Sequence, residues 1–368
     1  MKFYCSQKGL EHAVGIVNRA IGSNNTLPVL NNILVKAEGK RVYFSSTNLE
    51  IAINCSIEAD VRGEGSITVP AKLLSNYVAL VTDEKVEVSV LEGNTLAVSS
   101  TTSNTKIKCI SSDEFPLIPE VEKGVEVFIK TEDFHRSINE TVFAASLNLS
   151  RPVLSGVLFL AKGDEVKLVA TDSYRLAEKK LSSTEKVKEE VSCIIPARTV
   201  SELSKIITRS EEEKVKINIS NNQILFSVNG VELISRLIEG RFPDYQKIIP
   251  TGAPTTSTVS VEDLSLVLKR VSLFARENNN NINISVTNDG KMSVSSEETK
   301  VGEEKAEVPI DIEGENKKIA LNAQYLIDVL AHTSNDKVLF QIIDKVSPAI
   351  IRPAGKEDYV YIIMPLKV

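Results

Sequence analysis

The sequence predicts an α+β protein of three tandem domains, each with two helices packed against antiparallel sheets. The first observation is an internal repeat: Pro28-Val29-Leu30 returns as Pro152-Val153-Leu154, and Thr47 returns as Thr171, both after 124 residues. The second is a pair of helical hydrophobic stripes in each third, and the third is a set of alternating segments between them. A repeat of this length corresponds to a whole domain.

Longer matches define the extent of the repeat. Thr68–Leu74 matches Ile194–Val200 and, less closely, Ala320–Leu326, whereas Phe115–Pro119 and Phe242–Tyr245 close the first two units. At 368 residues the chain suits about three domains of ordinary size. The predicted domains are 1–122, 123–251 and 252–368.

Six amphipathic helices are predicted in chain order. Apolar side chains recur every three or four residues on one face of each segment, which is the period of a helix packed on a core. Leu10, Ala13 and Val17 show this pattern in the first segment, and Leu264 and Val267 show it in the fifth. The six segments are 7–21, 71–81, 133–146, 197–209, 261–276 and 321–332.

The segments between the helices alternate between apolar and polar side chains, as strands with one buried face do. Examples are Lys85–Val90, Val215–Ile219 and Ile224–Val228, and Gly-Asn or Asn-Asn pairs often separate such segments. These pairs favour tight hairpin turns, so the strands are predicted to be antiparallel. One face of each sheet would meet the helices, and the other would meet solvent or a second sheet.

The composition is that of a folded globular protein, with 42% hydrophobic and 25% charged residues. Cys5, Cys55, Cys109 and Cys193 show no metal-binding spacing and lie in apolar stretches, so we expect free buried thiols instead of disulfides or a metal site. No apolar run is long enough for a membrane span, and the start of the chain lacks an export signal. These features predict a cytoplasmic protein that holds no metal and no cofactor.

Cationic side chains are concentrated in the predicted helices. The six segments together carry a net charge of +3, whereas the whole chain carries −6. A polyanion could use this bias, although exposed helix faces carry charges in any protein and a bias of this size also arises by chance. The cations concerned are Lys8, Arg19, Lys72, Arg198, Lys205, Arg209, Lys269, Arg270 and Arg276.

Four motifs, taken in order along the chain, resemble one family. Thr26–Asn32, Ala170–Ala177, Gly240–Tyr245 and Tyr361–Leu366 are similar to signatures of the bacterial sliding clamps, the beta subunits of the replicative DNA polymerase. Together with the three-domain repeat, they span nearly the whole chain. The resemblance implies the DNA-clamp ring architecture, in which two three-domain crescents form a head-to-tail homodimer around duplex DNA. Helices would line the hole and sheets would form the outer wall.

The resemblance also implies a function. Such a ring is a processivity factor that slides along double-stranded DNA without reading its sequence, because enclosure retains it and a weakly cationic lining only centres the duplex. The expected partners are the polymerase alpha subunit, the clamp loader, and other polymerases and repair proteins that bind through short linear motifs. These motifs are expected to bind in a groove between the second and third domains.

Positions of this sequence match the family's partner groove one by one. Ser173 stands where glycine is common in the family and Tyr174 where histidine is common, so the rim of the groove is expected to be reshaped. Judged by the residue pattern alone, Ile362, Ile363 and Leu366 form an ordinary core strand. The matching positions are Leu154, Thr171, Ser173, Tyr174, Arg175, Leu176, Pro243, Lys247, Ile248, Val346, Pro348, Ile362, Ile363, Met364, Pro365 and Leu366.

Several cations are candidates for contact with DNA. Arg151 and Arg198 match basic positions of the family's channel, and the predicted helices add Lys72, Lys205 and Arg209. The loop Gly22–Asn25 lacks the arginine that well-known members carry there, so the resemblance does not extend to DNA contact by this loop. The chain also ends in Lys367-Val368 instead of Arg-Leu.

Ring closure is expected to pair edge strands of two copies. One edge lies around Lys106, Ile107 and Lys108 in the first domain, and the other lies around Ile282–Val286 in the third. The candidate apolar contacts beside this seam are Val271, Leu273 and Phe274. Packing inside the third domain is the alternative for each of these three.

Two other classes of function compete with a clamp. An enzyme could place Asp172 and Arg175 in a cleft, but His12, His135 and His332 lie on different predicted helices and no catalytic motif completes a site. Asp172 with Arg175 is therefore expected to stabilise a turn, and no catalytic residue is predicted. The second alternative is an interaction scaffold that never encircles DNA, and it gives no reason for cations on the helices.

Overall fold

The structure, a computed structural model, describes residues 1–22, 27–208, 210 and 212–366. Contacts within the chain divide it into two compact units. Unit 1 comprises residues 1–132 and 202–237, and unit 2 comprises residues 133–201 and 238–368. The middle third of the sequence therefore contributes to both units, and the domain boundaries near residues 122 and 251 stay predictions.

Six α-helices occur among the described residues, as the hydrophobic periodicity predicts. Ser6 caps the first helix by accepting a hydrogen bond from Gly9 N at 3.1 Å. Asn322 caps the last helix by accepting from Gln324 N at 2.9 Å, so this helix begins two residues after its predicted start. The helices are Gln7–Val17 (α1), Ala71–Leu80 (α2), Thr131–Thr141 (α3), Ala197–Ile207 (α4), Val261–Ala275 (α5) and Ala323–His332 (α6).

The strands of the first half of the chain are Lys2–Ser6 (β1), Asn32–Glu38 (β2), Arg41–Thr47 (β3), Ile51–Glu58 (β4), Asp60–Gly63 (β5), Gly65–Pro70 (β6), Lys85–Leu91 (β7), Thr95–Ser99 (β8), Asn104–Lys108 (β9), Val125–Lys130 (β10), Gly156–Thr171 (β11) and Arg175–Pro196 (β12). Those of the second half are Lys214–Ile219 (β13), Gln223–Val228 (β14), Val231–Arg236 (β15), Thr255–Ser260 (β16), Asn281–Thr287 (β17), Lys291–Ser296 (β18), Lys305–Glu313 (β19), Lys317–Asn322 (β20), Lys337–Ile342 (β21), Ala349–Pro353 (β22) and Tyr359–Ile363 (β23). All strand pairs described below are antiparallel.

Unit 1 contains two sheets. The smaller has the strand order β5-β1-β7-β8-β9, in which β9 is an edge. The larger has the order β6-β2-β3-β4-β15-β14-β13-β10, and strands of the first and second repeats meet where β4 pairs with β15. Asn229 and Gly230 connect β14 to β15 with φ values of 49° and 70°, the left-handed conformation that a tight primed hairpin requires.

Unit 2 also contains two sheets. The larger has the order β11-β12-β23-β22-β21-β16-β19, and strands of the second and third repeats meet where β12 pairs with β23. The smaller has the order β19-β18-β17-β20. The strand β19 belongs to both sheets, because Lys305–Pro309 pairs with β18 and Ile310–Glu313 pairs with β16.

The predicted edge strand around Ile282–Val286 is wrong, whereas the predicted edge at Lys106–Lys108 is confirmed as part of β9. Ile282–Val286 lies in β17, which pairs with β18 on one side and with β20 on the other. Alternation identifies a half-buried strand but does not reveal how many neighbours it has. Among the described residues, this sheet has two edges, namely the segment Lys305–Pro309 of β19 and the strand β20.

Helices cover the sheets through the predicted apolar stripes. In unit 1, α1 packs on β4 and beside α2; in unit 2, α5 packs on β18 and beside α6. Val14 of α1 and Leu268 of α5 are fully buried in these contacts. Val271 of α5 is fully buried as well, so it belongs to the core and offers no surface to a second copy.

Candidate functional site

The candidate groove begins at a tight turn between β11 and β12. Thr171 Oγ1 donates to Arg175 O at 2.6 Å and accepts from Ser173 N at 3.1 Å. Asp172 Oδ1 accepts from the backbone N–H groups of Tyr174 and Arg175 at 2.9 and 3.0 Å. Asp and Thr side chains favour turns through such bonds to the backbone that follows them, so the sequence orders this loop locally.

Ser173 occupies the strained position of the turn. Its φ of 83° lies in the left-handed region, where a residue with a Cβ is disfavoured. Glycine, which has no Cβ, would meet no such cost. Ser173 Oγ in turn accepts a hydrogen bond from Arg151 Nη1 at 3.4 Å, which connects the turn to the loop that follows α3.

The Arg175 guanidinium is contacted from several sides. It donates to Asp172 Oδ2 at 3.0 Å and to Phe143 O at 2.9 Å, and it forms a short ion pair with Asp328 of α6. The ring of Tyr325 lies 4.7 Å from the guanidinium carbon. The expected turn-stabilising pair of Asp172 and Arg175 is confirmed, and the same guanidinium also joins β12 to α6.

A hydrophobic cluster of unit 2 includes residues on both sides of the Thr171–Arg175 turn, where the candidate groove is expected. Leu154 and Thr171 are each only 7% exposed, and Ile362 and Ile363 are almost fully buried. The interpretation as a core strand is therefore right for Ile362 and Ile363, which are buried at the end of β23 and pair with the start of β12. The buried members of the cluster are Leu158, Val169, Leu176, Ile194, Phe242, Tyr245, Ile350, Val360 and Ile362.

Four of the expected groove residues, Tyr174, Ile248, Val346 and Met364, have exposed apolar side chains, and we call these four the rim. Tyr174 is 62% exposed and Val346 72%, so both offer free apolar surface. Met364 N donates to Tyr174 O at 2.8 Å, so the residue after β23 lies against the turn.

The other predicted groove residues lie in the segments that carry the rim or adjoin it. Pro243 and Lys247 are exposed, and Lys247 pairs with Asp244 at 2.7 Å. Pro348, Pro365 and Leu366 are half-buried.

A buried ionic cluster in unit 2 escaped the sequence reasoning. The Lys179 side chain on β12 is 2% exposed, and its Nζ lies 2.7 Å from Glu140 Oε2 and 2.9 Å from Asp358 Oδ2. The Tyr245 hydroxyl donates to Glu178 at 2.7 Å; burial, and then this carboxylate, raise the pKa of Tyr245. Glu178 and Lys179 are adjacent charged residues that a sequence pattern assigns to a solvated strand, so no signal marks them as buried.

The candidates for DNA contact stand on several elements. Lys72 on α2 and Arg198 on α4 are exposed. Lys205 pairs with Glu202 at 2.8 Å, and Glu202 also lies 3.5 Å from Arg19, so part of the predicted positive charge is neutralised. Arg209 lies outside the described residues, as do residues 23–25 of the loop without the arginine and the terminal Lys367-Val368.

The remaining candidates for the dimer interface differ in how much of their side chains is exposed. Lys106 and Lys108 are exposed on β9, whereas Ile107 is buried against its own unit. Leu273 of α5 is 58% exposed, and Phe274 is half-buried beside Gly302. Leu273 is therefore the candidate with the most free apolar surface.

Within the described ranges, no group of three or more His, Cys, Asp or Glu side chains could hold a metal ion. The four cysteines are free, as expected, but only Cys5 and Cys55 are buried, whereas Cys109 and Cys193 are half-buried. Burial raises the pKa of the Cys5 and Cys55 thiols to about 12, so both stay protonated near neutral pH. No described helix is both long enough and apolar enough to cross a membrane.

Comparison with known proteins matches every part of this architecture. Models of the DNA polymerase III beta subunit match in order: the N-terminal domain at residues 1–119, the central domain at 128–244 and the C-terminal domain at 246–367. The beta sliding clamp of Staphylococcus aureus is 32% identical over 358 residues, which cover 95% of this chain and 94% of that protein.

Solved structures agree with the sequence matches. The crystal structure of the DNA polymerase III beta chain from Streptococcus pneumoniae has a TM-score of 0.94 at 31% identity, covering 100% of both chains. The sliding clamp from Bacillus subtilis has a TM-score of 0.94 at 28% identity, covering 100% of this chain and 99% of that one. The chain therefore belongs to the DNA polymerase III beta subunit family, the non-catalytic sliding clamps that serve as processivity factors in DNA replication and bind DNA and polymerase or other partner proteins.

Proposed function

We propose that two copies of this chain join head to tail into a ring that encircles duplex DNA and tethers the polymerase to its template. Family membership along the whole chain is the observation that carries this proposal. Two free sheet edges support it, namely β9 and the segment Lys305–Pro309 of β19. Exposed edges of this kind invite pairing with another chain.

Charge favours pairing these two edges with each other. Lys106 and Lys108 stand on β9, whereas residues 303–309 carry a net charge of −2. Pairing β9 of one copy with β19 of the next would satisfy the backbone groups of both edges and bring opposite charges together. Pairing two copies of the same edge would bring like charges together and is therefore disfavoured. A closed dimer would contain two such seams, with Leu273 and Phe274 as the proposed apolar contacts beside them.

Enclosure would retain the DNA, and cations would only centre it. Lys72, Arg151, Arg198, Lys205 and Arg209 are the proposed contacts with phosphates. Each neutralised phosphate adds roughly 0.9 to the salt slope of binding, so a few weak contacts allow sliding where many strong ones would stop it. The ion pair of Lys205 with Glu202 lowers the net positive charge that the proposed lining offers to DNA.

We infer that the groove around the Thr171–Arg175 turn binds short linear motifs of partner proteins. The buried hydrophobic cluster and the exposed rim suit a peptide with one or two aliphatic or aromatic anchors. Each buried anchor contributes about 1.5–3 kcal/mol, which gives modest affinity and rapid exchange. The proposed partners are the polymerase alpha subunit, the clamp loader, and other polymerases and repair proteins.

We also propose a cytoplasmic location. The free cysteines suit a reducing compartment, where disulfides are rare. The replicative partners named above share that compartment with the DNA.

Polymerase processivity tests the proposed function. On a primed single-stranded circle with a clamp loader, ATP and an excess of competitor DNA that traps released polymerase, adding this protein should lengthen the products of a single binding event. Products of unchanged length, obtained with protein that circular dichroism shows to be folded, would contradict the proposal.

A further inference from the structure

Unit 1 repeats the architecture of the groove. The turn Thr47–Ile51 precedes the Thr171 turn by 124 residues. Thr47 Oγ1 donates to Ile51 O at 2.9 Å and accepts from Leu49 N at 3.0 Å. Asn48 Oδ1 accepts from the N–H groups of Glu50 and Ile51 at 3.0 and 2.8 Å. Leu49 has a φ of 74°, so the left-handed position of the Thr171 turn recurs as well.

The strand beside the turn is repeated in the same register. Ser235 and Ile234 of β15 pair with Ile51 and Ala52 of β4. This is the register in which β23 pairs with β12 in unit 2. Both units therefore have the same kind of strand pair next to the same kind of turn.

Equivalent hydrogen bonds identify the equivalent rim positions. Arg236 N donates to Glu50 O at 3.1 Å, as Met364 N donates to Tyr174 O at 2.8 Å. Arg236 thus stands in unit 1 where Met364 stands in unit 2, and Glu50 stands where Tyr174 stands. The apolar rim of the groove is replaced here by two charged side chains.

The Thr47–Ile51 turn, β15 and the segment after Phe115 line a pocket of about 90 Å³. A water molecule's share of liquid volume is roughly 30 Å³, so the pocket has room for one aliphatic side chain and is too small for a nucleotide. Its apolar lining comes from both strands and from the segment after Phe115, where Leu117 is 98% exposed. The apolar lining residues are Leu49, Ile51, Ala52, Leu117, Ile118, Pro119 and Ile234.

Charge at the mouth determines which peptide fits. Arg236 and Glu50 are exposed, and neither makes an ion pair within the part of the chain that the structure describes. Ile51 replaces Arg175, so the pocket has no buried guanidinium beneath the turn. A ligand with a carboxylate next to its apolar anchor would pair with Arg236 while the anchor fills the pocket.

We propose that this pocket binds a short linear peptide of a partner protein through one aliphatic side chain, with an acidic residue of that peptide paired to Arg236. The inference rests on the proposed function, because the likeness to the unit 2 groove supplies the peptide as the occupant. The clamp would then offer each partner a second point of attachment, chemically distinct from the first. A partner that binds both sites at once would bind more tightly than through either site alone, because the second binding event becomes intramolecular.

Methyl NMR of the full-length protein, labelled at isoleucine and leucine methyl groups, tests this proposal. The probe is a blocked pentapeptide with one leucine between two aspartates, and the control peptide carries lysines in place of the aspartates. We expect saturable shifts of the Ile51, Ile118 and Ile234 methyl signals with the aspartate peptide. Arg236→Glu should weaken this binding by about fivefold or more, whereas the same charge change at the exposed Arg276 should leave it unchanged.

The outcomes separate this proposal from the proposed function. Shifts confined to Leu154, Leu176 and Ile362 would overturn the unit 1 pocket and leave the unit 2 groove standing. Saturable unit 1 shifts that Arg236→Glu does not change, or that the lysine peptide produces equally, would overturn the assignment of an acidic ligand. Absence of saturable shifts in unit 1 overturns the proposal whatever happens in unit 2. A Leu117→Asp variant, altered at an exposed position, should abolish the unit 1 shifts alone.

Discussion

Ser173 pays a conformational cost that the Thr171 turn imposes. Its φ of 83° disfavours any residue with a Cβ, by about 1–2 kcal/mol. Because glycine loses more chain entropy on folding, we expect Ser173→Gly to stabilise the protein by a net ~0.5–1 kcal/mol. The measurement is the midpoint of urea unfolding. Ser173→Ala is the matched control, since it removes the hydroxyl but keeps the strain; a glycine variant no more stable than the alanine variant would refute the strain.

Arg175 is the residue on which the turn and α6 both depend. Its side chain is 11% exposed and neutralises Asp172 and Asp328 together. Arg175→Met would leave both carboxylates without their partner, and removing one member of a buried ion pair costs about 3 kcal/mol or more. Urea unfolding should therefore show a large loss of stability. Arg175→Lys keeps the charge but not the planar fork and should lie in between; two variants as stable as the parent would contradict this role.

At the scale of elements, the end of β23 and the Thr171 turn act together as one wall of the groove. We expect Met364→Ala to weaken binding of a fluorescein-labelled peptide carrying a polymerase clamp-binding motif by about fivefold to tenfold, because Met364 contributes exposed apolar surface. Fluorescence polarisation measures the affinity. Leu266→Ala, which alters an exposed apolar side chain on α5, is the control and should leave the affinity unchanged. Equal affinities of the two variants would remove Met364 from the groove.

The elements also show what a single sequence can reveal. Hydrophobic stripes predicted all six helices, because a helix that covers a sheet must keep one face apolar whatever its neighbours are. Alternation predicts strands but not their places in a sheet, so the prediction that β17 is an edge is wrong and the strand has two partners. The burial of Lys179 was not predicted because it depends on Glu140, which lies far away in the sequence.

The groove itself could be predicted only in part. The residue pattern predicted the turn-stabilising pair of Asp172 and Arg175, whereas the other residues of the Thr171 turn were expected in the groove only because they match positions of the family. The sequence repeat shows that the Thr171 turn is similar to Thr47–Ile51, but it does not show that a pocket lies beside the Thr47–Ile51 turn. Only the pairing of β4 with β15 shows that a pocket forms beside the first turn as well.

At the scale of the whole molecule, assembly depends on the free edges. We expect the double variant Lys106→Glu with Lys108→Glu to shift the protein from a dimer towards a monomer, because it places like charges opposite residues 303–309. Sedimentation equilibrium should give twice the 40.3 kDa chain mass for the parent and values approaching 40.3 kDa for the variant. Lys40→Glu with Lys85→Glu makes the same charge change away from the edge and should stay dimeric. A parent that is monomeric at micromolar concentration would contradict the ring.

Enclosure of DNA is the central claim, and release from a cut circle measures it most directly. The protein is loaded onto nicked circular DNA with a clamp loader and ATP, unloaded protein is removed by gel filtration, and the circle is then cut once. A ring held by topology should stay on the intact circle at moderate salt and leave after linearisation, unless a tightly bound protein blocks both ends. Retention on the linear DNA with open ends would mean that adhesion holds the protein, and would contradict the account.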